Sequence, residues 1–425
     1  RYRWYDSNEE ALAQFNREAR LMWKLRGVLK DFDIDFMVFM APQKGFVYPE
    51  YLPDREKDTT SVNAREFYSA KFDEYDIPYI EMTKWFQAIK EADTLPYSLF
   101  PQTGNHWGFS ATLATDSLLR FMGDLKGVKL PTLHIGPLRE SNEDTKYTDC
   151  DIENLVNLMR PLPHPNDRLL DAEVTYTIDS TTTLASAIFI GTSFLMRMYY
   201  FVPFSEIFPN SQYWYYNSSV YYGDNYKKMT FVNLLDILSE LLSTDYVVWF
   251  TEGDQMCRAS FGFVESALLS LCVSDQAVEE KRWQLANSLN VSYEYANELI
   301  LKDPEHYFPE IAGDSIPTAR NPRIPEVLTI KDIKIDSNWM DILRCQATQQ
   351  HLPLNDILKM EAQNILNDRP LMRDNTAVIS REDYVECLVE EMIIEVRGKP
   401  DLMAQIKEKA EKNDRPLEEQ VEADD

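Results

Sequence analysis

Two short segments hold residue types capable of covalent chemistry. Gly191-Thr192-Ser193 follows directly on the apolar run Ala187-Ile188-Phe189-Ile190. A buried strand running into this triplet, with a helix behind it, presents the Ser193 hydroxyl at a helix N-terminus, where backbone N–H groups can stabilise an oxyanion. The same triplet also serves as an ordinary capped helix start. His106 stands in Thr103-Gly104-Asn105-His106-Trp107, ahead of a helical stretch, and of the five histidines it alone lies in so dense a motif. A histidine in front of a helix is also a common structural hydrogen-bonding residue. His134 precedes Ile-Gly-Pro and His164 lies between two prolines, as loop residues do, while His306 and His351 fall in acidic sequence further on. No second His or Cys stands at ligand spacing from His106, so neither a metal nor a cofactor is expected.

Positioning such residues takes strands and helices in alternation. Residues 7 to 30 carry a helical pattern, with Ser7 and Glu10 as a capping box and Leu12, Phe15, Leu21, Leu25 and Val28 near one face. The dense run Phe36-Met37-Val38-Phe39-Met40 reads as a parallel strand buried on both faces. A helix over 61–72, a strand over 77–81, a helix over 83–92 and another over 110–122 follow, then a polar, proline-containing interval from 126 to 170. The strand at 187–190 and a second apolar strand, Tyr246-Val247-Val248-Trp249-Phe250, complete the pattern. Alternation of this kind predicts an α/β fold with a parallel sheet flanked by helices. Both late strands end in small or polar residues, and ligands of open α/β sheets sit beyond the carboxyl ends of strands.

Composition narrows the partners. The chain has 425 residues with 43 Lys plus Arg against 70 Asp plus Glu, a net charge of −27. That field repels nucleic acid and anionic membrane surfaces, and it disfavours a polyanionic glycan unless a local basic groove offsets it. Only 13 glycines predict many helices and few tight hairpins. Five cysteines at scattered spacing are neither a disulfide framework nor a metal site, though one bridge is compatible with them. The longest apolar stretch, Leu184 to Phe204, is interrupted by Ser193 and Arg197 and suits a strand and turn better than a membrane span. The first residue, Arg1, is compatible with a signal or anchor preceding it.

Beyond residue 264 the sequence turns charged and helical, and it repeats. Ser337-Asn338-Trp339-Met340 through Ala347 to Pro353-Leu354 aligns with Pro400-Asp401-Leu402-Met403 through Ala410 to Pro416-Leu417, and a fainter copy holds Trp283, Ala286 and Ser292-Tyr293. Each copy reads as two helices joined where Pro or Ser starts the second. The expected organisation is thus a sheet domain over residues 1–263 and an all-α region of degenerate helical repeats over 264–425. The repeats are either hairpins that pack on their neighbours or a docking module.

Taken together, four blocks resemble the alginate O-acetyltransferase family of SGNH-hydrolase type. Phe39-Met40-Ala41-Pro42-Gln43-Lys44-Gly45-Phe46-Val47-Tyr48-Pro49-Glu50-Tyr51-Leu52-Pro53 is similar to that family's first strand and following loop, and Asn105-His106-Trp107 to its histidine block. Phe189-Ile190-Gly191-Thr192-Ser193-Phe194 resembles the nucleophile block and Val247-Val248-Trp249-Phe250-Thr251-Glu252 the closing strand, in an order with histidine ahead of serine. The resemblance covers roughly residues 8 to 260. It implies an SGNH-like fold and a periplasmic or exported protein, anchored at the membrane through a preceding segment, that acetylates or deacetylates an exopolysaccharide. Its partners would be the polysaccharide and a membrane-bound acetyl-donor protein. Ser193 would be the nucleophile and His106 the base. One position departs: the family has an Asp two residues before its histidine, and here that residue is Gly104. Asp149, Asp151, Glu252 and Asp254 are the carboxylates able to replace it in space. Without a replacement, the resemblance implies a catalytically silent glycan-binding scaffold instead.

Overall fold

The computed structural model describes residues 9–54, 63–141, 149–156, 159–160, 162, 167–222, 227–253, 256 and 260–367. Two compact units divide the chain, Arg1–Asn321 and Pro322–Asp425.

The first unit opens with helix α1 (Glu9–Lys30), which buries Phe15, Ala19, Met22, Leu25 and Val28 along one face against the first strand. There follow β1 (Asp35–Ala41), the short α2 (Lys44–Val47), α3 (Ala64–Glu74), β2 (Tyr79–Glu81), α4 (Thr83–Ala92) and α5 (Ala111–Lys126). The interval read as loop-rich holds two small antiparallel ribbons. One pairs β3 (Thr132–Ile135) with β6 (Val174–Thr177), the other β4 (Arg139–Glu140) with β5 (Leu170–Asp171), and between them lies α6 (Asp151–Val156). Next come β7 (Ala187–Gly191), α7 (Ser193–Phe201), β8 (Gln212–Tyr215), β9 (Ser219–Tyr222), β10 (Lys227–Phe231) and β11 (Tyr246–Glu252).

The main sheet has seven strands in the order β10-β9-β8-β7-β11-β1-β2. Strands β8, β7, β11, β1 and β2 are mutually parallel, and β9 and β10 extend the sheet antiparallel. The fold is therefore α/β with a mostly parallel sheet, as the alternation predicts. The central strands are buried at nearly every position, because helices cover both faces and leave no polar side for alternate residues. The hairpin β8–β9 escapes a reading based on low glycine content. Its turn is made by Tyr216 and Asn217, both at φ 49°, a left-handed conformation reached here without glycine. Tyr213 and Trp214 are fully buried in β8 and belong to the core.

From residue 263 on, every regular element among the described residues is helical: α8 (Phe263–Cys272), α9 (Asp275–Leu289), α10 (Tyr293–Lys302), a short turn of helix at Pro304–Tyr307, and in the second unit α11 (Ile324–Ile335), α12 (Ser337–Gln350) and α13 (Leu354–Leu366). The secondary structure changes where the sequence texture does, but the compact unit runs on to Asn321. Two contacts explain why. The fully buried Lys24 of α1 donates to Glu305 and, at 2.8 Å, to the Ile311 carbonyl. The Asn321 amide nitrogen lies within 3.0 Å of the Ser270 and Val273 carbonyls and the Asp275 carboxylate.

The pairs α9–α10 and α12–α13 have the same joint. Asn290 (φ 52°) and His351 (φ 54°) end the first helices in the left-handed region. Val291 N–H then donates to the Ala286 carbonyl at 3.1 Å and Leu352 N–H to the Ala347 carbonyl at 3.0 Å. Ser292 and Pro353 start the second helices, so the faint copy and the first full copy share one local structure. The copy around Ala410 and the capping Ser7 lie outside the described residues.

A pair of acids is buried between α1 and α8. Glu18 and Glu265 are each at most 7% exposed. Burial and the facing Glu265 push the Glu18 carboxyl up to about 8, against opposing effects of Gln14 and Arg17. Unfolded, Glu18 ionises near 4.5; folded, it keeps its proton to about 8, so stability falls as pH rises between those values. Glu18→Gln removes the penalty. Thermal melting should show the variant gaining on wild type between about pH 5 and pH 8.5, with the two alike at the acid end. A constant difference across that range would contradict the buried, proton-holding carboxyl.

Candidate active site

Ser193 is the first residue of α7, and the chain reaches it from a strand whose five residues are all buried. At the end of that strand Gly191 lies against β11. A Cβ there would stand 2.8 Å from Phe250 Cβ and 3.0 Å from its carbonyl oxygen, so only glycine allows this approach. Thr192 turns the chain with extended backbone angles. Its hydroxyl donates to Glu252, and its carbonyl accepts from the Tyr213 hydroxyl at 2.6 Å. The strand end is thus anchored on both neighbours, and Ser193 begins a helix whose first-turn N–H groups lack intrahelical acceptors.

His106 comes from the loop ahead of α5. Its Nε2 lies 2.7 Å from Ser193 Oγ. On the other side Nδ1 is hydrogen-bonded to Asp151 Oδ2. Asp151 opens α6, and its second oxygen accepts from the Asn105 N–H at 2.7 Å and from the Ile152 N–H at 2.8 Å. Burial works to raise the Asp151 pKa, but the bonds from His106 and the two amides prevail and hold the carboxyl below its usual range. An ionised Asp151 can only accept. The imidazole proton therefore sits on Nδ1, and the Nε2 lone pair faces the serine hydroxyl. The Phe194 ring, 4.9 Å from the imidazole centroid, packs beside it.

Of the four carboxylates able to take the place of a missing acid at Gly104, Asp151 reaches the histidine. Glu252 is engaged by Thr192, Asp149 is engaged elsewhere, and Asp254 lies outside the described residues. Among the alternatives that Gly104 left open, the acid that meets His106 comes from 45 residues further along the chain. Gly104 also has no room for a side chain, since a Cβ would stand 2.3 Å from the Asp149 carbonyl oxygen.

Two cations join the pieces, Arg197 buried and Lys44 half-buried. Arg197, one helical turn after Ser193, donates to the Asp149 carboxylate and, at 3.2 Å, to the Trp107 carbonyl. It thereby ties α7 to the Asp149–Asp151 segment and to the residue beside His106. Its signal in the sequence is a charge inside an apolar run, which has to find a partner once buried. Lys44, in the first of the resemblance blocks, donates to the carbonyls of Gln102 at 2.8 Å and Gly104 at 2.7 Å, and also to that of Pro101. Trp107 closes the set, donating from its indole to the Phe194 carbonyl at 3.0 Å. His134 instead pairs with Thr177 across the β3–β6 ribbon.

No protein-family model matches this chain, and no curated protein matches it. Among solved structures it is similar to the O-acetyltransferase domain of Pseudomonas putida AlgJ, with 14% identity over 60% of this chain and 87% of that one and a TM-score of 0.37. It is similar also to Pseudomonas aeruginosa AlgX, with 14% identity over 59% of this chain and 60% of that one and a TM-score of 0.36. Bacillus cereus PatB1 gives 11% identity over 59% and 93%, with a TM-score of 0.37.

The Gly104 contact yields a direct test. The opposing atom is backbone, so Gly104→Ala must displace the Asp149–Asp151 segment, at about 1–3 kcal/mol of stability. The melting temperature should fall, in Gly104→Asp no less than in Gly104→Ala. A Gly104→Asp variant as stable as wild type would refute the close approach of the Asp149 carbonyl.

Proposed function

We propose that this chain is an acyl-transfer enzyme that moves acetyl groups through Ser193, to a hydroxyl of an exported glycan or to water. The observation that carries the reading is the continuous hydrogen-bonded line from Ser193 Oγ through His106 to Asp151. Hydroxyl, imidazole and carboxylate in that order form a nucleophile with its base and the group that orients the base.

In the first half-reaction Ser193 Oγ attacks the acetyl carbonyl carbon while its proton passes to His106 Nε2. The oxyanion that develops is stabilised at the positive end of α7. Collapse of this intermediate breaks the bond to the donor oxygen, which leaves with the proton from Nε2. Acetyl-Ser193 remains. In the second half-reaction an acceptor hydroxyl attacks that ester, gives its proton to Nε2, and takes the acetyl group as Oγ departs and recovers the proton. Asp151 stays ionised throughout, holding the Nδ1–H tautomer and stabilising the imidazolium in both transition states.

The silent-scaffold reading rested on Gly104, and Asp151 supplies the charge that Gly104 lacks. The glycan acceptor, a membrane-bound acetyl donor and an exported location follow from the family resemblance.

Hydrolysis of 4-nitrophenyl acetate at neutral pH checks the mechanism. Ser193→Ala should abolish it, and intact-mass analysis of wild type mixed rapidly with substrate should find acetyl on Ser193. Asp151→Asn should lower turnover by on the order of 10³–10⁴, since the amide favours the wrong tautomer. Turnover that survives Ser193→Ala would exclude the nucleophile. Because Asp151 is held below the ordinary carboxylate range, its negative charge persists as the pH falls through about 4, the ordinary aspartate value, and is lost only lower. The rate should accordingly show no inflection near pH 4 that Asp151→Asn removes.

A further inference from the structure

The loop that Lys44 grips has a second face. Behind it lies a cavity of about 550 Å³, reached between α2, α4 and the segment from Leu95 to Gln102. Its size falls within the range of small-molecule sites. Gln102, in its wall, is four residues ahead of His106, and Lys44 belongs both to the wall and to the hydrogen bonds that hold Gly104. The cavity therefore adjoins the catalytic line through one short stretch of backbone.

Its lining combines aromatic faces with charges that are already paired. Tyr51 is 81% exposed, an unusual state for a tyrosine, and its ring meets only Tyr48, at 6.2 Å and 35°, among the described aromatic contacts. Tyr48 in turn has the Lys90 ammonium over its ring at 4.8 Å, so Tyr51 offers the open platform. Lys90 is bridged to Glu50 at 2.7 Å and Arg168 to Asp93 at 2.7 Å, while Asp167 accepts from the Gln102 N–H at 2.8 Å. Lys44 is committed to three carbonyls. An anionic ring would also lie against the Asp93 and Asp167 carboxylates of the lining. A neutral polyol needs only the spare lone pairs and N–H groups that paired ions retain, together with an aromatic face for its C–H surface.

We propose that this cavity is a subsite for an uncharged pyranose ring of a glycan chain, with Tyr51 as its platform and Asp167, Lys90 and Arg168 as its hydrogen-bonding groups. The proposal rests on the acyl-transfer reading in that the bound chain is the acceptor, its neighbouring unit directed toward Ser193. In a molecule of net charge −27, a pocket lined by three basic and two acidic side chains, with Glu50 paired to Lys90 beside it, is also where a polar glycan meets little repulsion.

A printed array of neutral and uronate-containing oligosaccharides, probed with the whole chain, tests this. Wild type and Ser193→Ala should bind the same neutral members. Calorimetric titration of the strongest neutral binder should show Tyr51→Ala weakened about tenfold or more and Tyr51→Phe within about threefold of wild type, since stacking uses the ring and not the hydroxyl. Equal melting temperatures would show that both variants fold. Absence of any neutral binder, binding confined to uronates, or Tyr51→Ala binding like wild type would overturn the subsite. Activity surviving in Ser193→Ala beside Tyr51-dependent binding would overturn the acyl-transfer reading alone. Loss of the esterase in Ser193→Ala without Tyr51-dependent binding would overturn the subsite alone.

Discussion

The buried ion pair between Arg197 and Asp149 is the contact on which the site depends. Three segments distant in sequence must converge for a serine, a histidine and a carboxylate to align, and this guanidinium touches two of them from the helix of the third. Arg197 and Asp149 are 6% and 4% exposed, so neither charge has water to fall back on. Removing one partner from such a pair costs about 3–5 kcal/mol, because the other is left buried and uncompensated. That penalty keeps the Asp149–Asp151 segment in one place. Burial pushes the Asp149 carboxyl up to about 6 even with Arg197 beside it, a measure of how strongly the surroundings disfavour charge without that partner.

Around this pair some groups come from strand ends and others from the connecting loops. The parallel sheet brings the carboxyl ends of β7, β11 and β1 side by side, and these supply Ser193, Glu252 and, just past the strand, Lys44. Glu252 and Tyr213 fasten Thr192 from either neighbouring strand, which sets the direction in which α7 departs. His106 and Asp151, by contrast, are on connections. They are positioned by hydrogen bonds to backbone: Lys44 on the carbonyls before His106, the Asn105 amide on Asp151, and the Asp149 carbonyl pressed against Gly104. The missing side chain of Gly104 is here the condition for the Asp149–Asp151 segment to approach.

Some of this organisation was legible from residue types alone. The buried strands at 36–40, 187–190 and 246–250 and the helices between them are local events, governed by apolar runs, alternation and capping, and they form within a residue or a few of their expected bounds. Ser193 and His106 were legible for the same reason, since each stands at a recognisable junction of strand, loop and helix. The turn at Tyr216 and Asn217 was not, because the usual glycine signal is missing and tertiary packing of Tyr213 and Trp214 imposes the hairpin instead. The end of the first unit at Asn321 was equally hidden. It is decided by Lys24 reaching Glu305 and Asn321 reaching Ser270, pairs separated by 281 and 51 residues.

Sequence by itself determined the class of fold and marked Ser193 and His106 as residues at strand–loop–helix junctions, because these follow from short-range patterns that physical chemistry reads one segment at a time. Tertiary structure alone decided which acid serves His106, why Gly104 must remain glycine, and what Lys44 and Arg197 hold. Each of these is a contact between groups that become neighbours only when the loops close over the sheet. A carboxylate 45 residues from its histidine carries no local mark that separates it from the other acids of the chain. Only burial, which makes an unpaired charge or hydrogen-bonding group costly, selects the partner.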